Sequence, residues 1–200
     1  MLEPLAFVSY MGVMSITPGP NNIMLATSGV NFGFRRTLPH MLGISAGCAL
    51  QLFLCALGLT FLLARIQAVR LPLALAGCGY LLWLSWKLQR SSAPGAADAS
   101  RPMGFAAAAL FQWINPKAWV MVINSAVLFM PASGHGVAAA GGLAAASLVV
   151  NLPCIAVWAF GGDRLRHWLQ DARTLRAFNL TMALLLGATA LWMLSGELSR

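Results

Sequence analysis

Charge is what this chain lacks most. Only 9% of its 200 residues are Asp, Glu, Lys or Arg, and five are acidic. A soluble domain carries roughly 25% charged residues, so most of this surface cannot face water. No CxxC pair, HExxH or Ser/His/Asp set is found. Cys48, Cys55, Cys78 and Cys154 lie inside apolar stretches and read as small buried hydrophobes. His40, His135 and His167 are scattered near loop ends and match no ligand spacing. Neither a cofactor nor a metal is expected. The N-terminus also lacks a basic segment: from Met1 to Ala26 the one charge is Glu3. That stretch reads as a retained membrane helix, not a signal peptide.

What the chain has is hydrophobicity, 59% of residues, with a mean hydropathy of +0.75. Six apolar segments run at about 4–28, 38–64, 68–88, 104–130, 136–161 and 174–195, each near the ~20 residues that span a ~30 Å hydrocarbon core. They are continuous and rich in Leu, Ala and Met, without the alternation of a β-barrel strand. In lipid a helix satisfies its own backbone, so the expected fold is all-α: a polytopic membrane protein of six transmembrane helices. The small, polar, Pro-containing stretch Ser91–Pro102 reads as a linker. It divides a single membrane domain into residues 1–90 and 103–200, three helices each.

The net charge of +8 does not point to nucleic acid, because the basic residues fall between apolar runs and not on one amphipathic face. Arg35, Arg36, Lys87, Arg90, Arg101, Arg164, Arg166, Arg173 and Arg176 follow helices one, three and five, whereas Arg65, Arg70 and Arg200 lie on the other side. The positive-inside rule puts the larger group in the cytoplasm and both termini in the periplasm of a bacterial inner membrane. Three helices per half is an odd number, so the second half enters in the opposite sense, as an inverted repeat. Trp83, Trp86 and Trp168 near helix ends read as interfacial anchors, and Gly43 with Gly47 as a GxxxG packing face.

Two breaks stand out. Helix one is interrupted by Thr17-Pro18-Gly19-Pro20-Asn21-Asn22, where two prolines remove two backbone donors and drive the residues before them toward extended geometry. Helix four is interrupted by Asn115-Pro116-Lys117, with Asn as N-cap and Pro at the first position of a new helix. Both fall near mid-segment, hence near mid-bilayer. Interruptions at matching places in two repeats are the sequence pointer to a transporter's binding site, and half-helix N-termini suit a carboxylate. Lys117 adds a full charge, which costs about 2.5–3.5 kcal/mol at the bilayer centre on insertion scales. It should therefore face a cavity, a substrate anion or helix-end carbonyls. A simple proline kink, or a Lys117 that snorkels, is the bland alternative. Gln51 and Asn151 sit near the middle of equivalent helices, where they either line a pathway or bond between helices. Asp163, at the cytoplasmic end of helix five, is the candidate coupling acid; pairing with Arg164 or Arg166 is the alternative.

At these residues the sequence resembles the LysE/RhtB family of amino-acid exporters. The stretch SITPGPNNIMLATSGVNFGFRR is similar to that family's opening motif, and FQWINPKAWVMVINSAVLFMP to its second-half counterpart. HMLGISAGCALQ and GCGYLLWLSWKLQR fit helices two and three. The resemblance implies export of amino acids or close derivatives, driven by the proton gradient, and by motif position it carries over Pro18, Gly19, Pro20, Asn21, Asn115, Pro116 and Lys117. Pro39, Gly79 and Ser85 depart from the pattern. The expected partners are a small-molecule substrate and the bilayer, with a homo-oligomer as a further one. A metal-cation transporter or a membrane-embedded enzyme is the alternative, and each lacks the side chains its chemistry needs.

Overall fold

A computed structural model of the chain describes residues 4–89, 101–130, 136–169 and 171–198. Most of the expected linker, with Arg90, falls outside them, as do His135 and Arg200. The described residues form eight α-helices and one short 3₁₀ turn. They are α1 (Pro4–Ile16), α2 (Pro20–Phe32), α3 (Phe34–Leu57), α4 (Leu59–Gln89), α5 (Phe105–Phe111), α6 (Pro116–Phe129), α7 (Val137–Arg166) and α8 (Ala172–Leu198), with the 3₁₀ turn Gln112–Ile114 between α5 and α6. Among the described residues, Phe34–Leu57, Val137–Arg166 and Ala172–Gly196 are long and apolar enough to cross a membrane.

The two expected breaks are present. The first apolar segment is α1 plus α2, and the fourth is α5, the 3₁₀ turn and α6. Each broken pair packs on the long helix from the other half of the chain: α1 and α2 on α7, α5 and α6 on α3. Likewise α2 touches α8 where α6 touches α4.

Contact with α3 uses the GxxxG face. A Cβ on Gly43 would strike the Phe105 carbonyl, and one on Gly47 would come within 2.8 Å of the Ala109 backbone. Lipid tails are as apolar as the helices, so close backbone approach is the main source of attraction there. Gly33 alone joins α2 to α3, at φ +85, in the left-handed region that only glycine enters freely.

Met11, Leu25, Ile44, Leu52, Val122 and Ile155 anchor a core between α1, α2, α3, α6 and α7. A smaller cluster with Leu81, Phe111 and Leu186 holds α4 and α8 to α5. The outward faces are apolar, with Leu184, Leu191 and Trp192 more than half exposed. Such a belt would be a liability in water and is ordinary in lipid.

Helices two and three differ from their expected bounds. The helix expected to start at residue 38 begins at Phe34 and carries Pro39 inside it. It ends at Leu57, and α4 starts two residues later. Residues 59–64 therefore belong to α4, and Arg65 and Arg70 lie within that helix, not in a loop. Proline is tolerated inside membrane helices because neighbouring groups satisfy the carbonyl it frees.

Candidate substrate site at the paired breaks

Breaking a helix leaves carbonyls at one end and amide donors at the other without intrahelical partners. At the first break those carbonyls are claimed one by one. Asn22 Nδ2 donates to the carbonyls of Ser15 and Thr17, both at 2.8 Å. Trp158 Nε1, from α7, donates to Ile16 O at 2.9 Å. Lys117 Nζ, from the other break, donates to Thr17 O at 2.7 Å, Thr17 Oγ1 at 3.0 Å and Pro18 O at 3.2 Å. The ammonium thus meets the negative end of the α1 dipole, where a cation is favoured. Of the partners expected for Lys117, helix-end carbonyls are the ones it has.

The second break has the expected cap. Asn115 is extended, at φ −89 and ψ 106, as a residue before proline prefers, and its Oδ1 accepts from the Lys117 backbone N–H at 3.1 Å. Pro116 and Pro20 both occupy the first helical turn. Gly19 is required by closeness and not by backbone angle: a Cβ there would lie 2.8 Å from Lys117 Cδ.

A polar network extends from the breaks into the bundle. Asn21 and Gln112 exchange side-chain hydrogen bonds, at 2.9 Å and 3.3 Å, linking the two breaks directly. Gln51 Nε2 donates to the Gln112 carbonyl at 3.3 Å. Asn151 Nδ2 donates to Ser15 Oγ at 2.9 Å, and Asn151 Oδ1 accepts from Ser45 Oγ at 2.8 Å. Two acceptors are left over: Asn22 Oδ1 and Gln51 Oε1 are buried and have no partner among the described residues.

A cavity of about 20 Å³ sits at the junction, with Gly19, Asn21, Asn22, Asn115, Lys117 and Asn151 in its wall. That is room for about one water. Lys117 is the one charged side chain lining it among the described residues. The structure therefore brings the two motifs and Asn151 together. Thr17 and Pro18 take part through their bonds to Lys117, while Gln51 stands one bond further out. Asp163 is elsewhere, at the corner formed by Gly33, where its Oδ1 would lie 3.2 Å from an added Cβ.

Gln112 and Trp158 went unnoticed in the sequence, and Ser15 was read as a packing or backbone-bonding hydroxyl. Gln112, a polar residue three places before Asn115 in an apolar segment, was the visible signal. A carbonyl partner for an indole in another helix leaves no mark in local pattern.

A chain whose described elements are all helical, with apolar outward faces and folded around two interrupted helices and one inward ammonium, has the construction of a membrane transporter. The chain belongs to the LysE type translocator family, which it matches over residues 12–196. It is similar to a cysteine/O-acetylserine efflux protein of Escherichia coli (strain K12), 30% identical over 183 residues, 90% of this chain and 92% of that protein. The protein of the same description from Shigella flexneri serotype 5b matches at the same identity and coverage. One from Klebsiella pneumoniae subsp. pneumoniae is 35% identical over 113 residues, 56% of this chain and 57% of that one. No solved structure matches. Membership of a translocator family makes the chain a transporter and not an enzyme.

Proposed function

We propose that this protein exports amino acids or close derivatives by alternating access around the two breaks, with a small zwitterion of the cysteine and O-acetylserine class as its substrate. The observation that carries this reading is the Lys117 ammonium, held at the meeting point of the breaks by Thr17 and Pro18 carbonyls, with no acidic residue among the described residues of the cavity wall. A substrate carboxylate is a stronger partner for an ammonium than a neutral carbonyl. It would draw Lys117 off α1 and loosen the joint between the halves. The unpartnered Asn22 Oδ1 is an acceptor in the same cavity for the substrate's own ammonium. One water's room does not hold an amino acid, so loading requires the two breaks to part.

The architecture proposed with this is six spans in two inverted three-helix halves, residues 1–90 and 103–200 about a linker at 91–102. Support comes from the reciprocal packing of each broken pair on the other half's long helix. A helical chain of this kind belongs in a bacterial inner membrane, and the Lys and Arg distribution favours periplasmic termini. Proton drive is part of the proposal, with Asp163 as the acid to test. Gln51 is assigned a supporting role through Gln112.

The experiment is to feed cells a dipeptide and compare efflux of the released amino acids with and without this protein. Faster efflux of a narrow set of small amino acids is expected. Equal efflux across a broad panel would remove the proposal.

A further inference from the structure

A larger cavity lies beside the breaks, not at them. It holds about 420 Å³ and follows α2 from Ile23 in the first turn to Phe32 at the last residue, about 13 Å at 1.5 Å per residue. The two cavities meet α2 on consecutive residues: Asn21 and Asn22 line the smaller, Ile23 and Met24 the larger.

Three buried polar atoms belong to residues in the wall of this cavity and have no partner among the described residues. They are both ring nitrogens of His40 and the hydroxyl oxygen of Thr27. His40 is 2% exposed and Thr27 9%. Buried polar groups are bonded in the large majority of cases, and leaving them unmet costs free energy. These atoms are closed to water in this state, so a polar guest meets them only once side chains of the wall move aside. A neutral imidazole presents one donor and one acceptor, so the pair can serve both ends of a zwitterion. Lys87 and Arg101 also line the cavity, and no acidic side chain among the described residues does. The Lys87 ammonium lies 5.4 Å from the Trp83 ring centroid. The remaining wall is largely apolar.

We propose that this cavity is a loading vestibule, which takes an amino-acid-sized carboxylate from the cytoplasmic side before it reaches Lys117. Lys87 and Arg101 attract the acid group, and His40 with Thr27 bonds the solute deeper in. The role as a loading step rests on the breaks being the transport site; occupancy of the cavity does not.

The test separates the two. Met24→Cys is made in the full chain with its four native cysteines replaced by alanine, and Leu88→Cys serves as a second reporter. Each is labelled in membrane vesicles with an impermeant thiol reagent from the side bearing Lys87. L-serine and O-acetylserine are expected to slow labelling about fivefold or more, and ethanolamine, which has no carboxylate, to leave it unchanged. His40→Leu should raise the protecting concentration about tenfold, and His40→Gln should restore it toward the parent value. Labelling indifferent to amino acids, equal protection by ethanolamine, or protection unaffected by His40→Leu would each overturn the vestibule. Repeating the labelling with Lys117→Met distinguishes the failures. Protection should persist there while transport is lost. Wild-type transport by Lys117→Met would sink the reading of the breaks but leave the vestibule to be judged by its own labelling.

Discussion

Lys117 and Thr17 stand a hundred residues apart in sequence, and the ammonium of one donates to the carbonyl of the other at 2.7 Å. Thr17 is the residue at which α1 gives out, and Lys117 is in the first turn of α6. One hydrogen bond therefore ties the carbonyl end of the first broken helix to the donor end of the second. The ammonium is desolvated by the bundle, yet it is kept from a full ion pair and is available to one.

Gly19 tests how closely that ammonium must be held. A Cβ at Gly19 would press on the Lys117 stem at 2.8 Å from Cδ and 3.0 Å from Nζ. Gly19→Ala is expected to insert and fold normally, because a lysine stem can give way. It should nonetheless raise the KM for export about tenfold. Unchanged kinetics would show that Lys117 works from a displaced position.

The Asn21–Gln112 pair should behave as a unit. Gln112 is fully buried and also donates to the Ala108 carbonyl at 2.8 Å. Removing one partner strands the other, at a cost of about 1–3 kcal/mol, whereas replacing both with apolar side chains costs less than the sum. Thermal unfolding of purified Asn21→Leu, Gln112→Leu and the double variant should therefore be non-additive. Additive losses would mean that the two amides do not support one another.

Backbone contact between α2 and α7 gives a paired prediction. A Cβ on Gly162 would meet the Ala26 carbonyl, while one on Gly141 of the same helix would meet nothing within 4 Å. Gly162→Ala should destabilise the protein by about 1–3 kcal/mol, read as a drop in Tm, and Gly141→Ala should be neutral or stabilising. Equal effects would contradict the close approach of the helices.

The breaks were legible in the sequence because proline acts locally: it deletes a donor and restricts its neighbour wherever it stands. The same is true of Asn115 as a cap and of the Gly43–Gly47 packing face. Other features depend on tertiary partners and leave no local trace. The second segment was expected from about residue 38, yet α3 starts at Phe34 and runs through Pro39. His40 was read as lying near a loop end and is buried inside α3. Arg65 and Arg70 suggested a turn between helices, but the turn falls at Gly58. Asn151 was open to either lining a pathway or bonding between helices; it bonds Ser15 and Ser45 on other helices and lines the small cavity at the breaks.

Export by Lys117 variants in proteoliposomes tests the claim most directly. Lys117→Met keeps the length of the stem and removes the charge. It should reach the membrane in normal amount and export amino acids about 100-fold more slowly, as loss of a charged hydrogen bond to substrate implies. Lys117→Arg should retain part of the rate, because it keeps the charge but not the fit beside Gly19. Export by Lys117→Met at the wild-type rate would contradict the assignment of the two breaks as the substrate site.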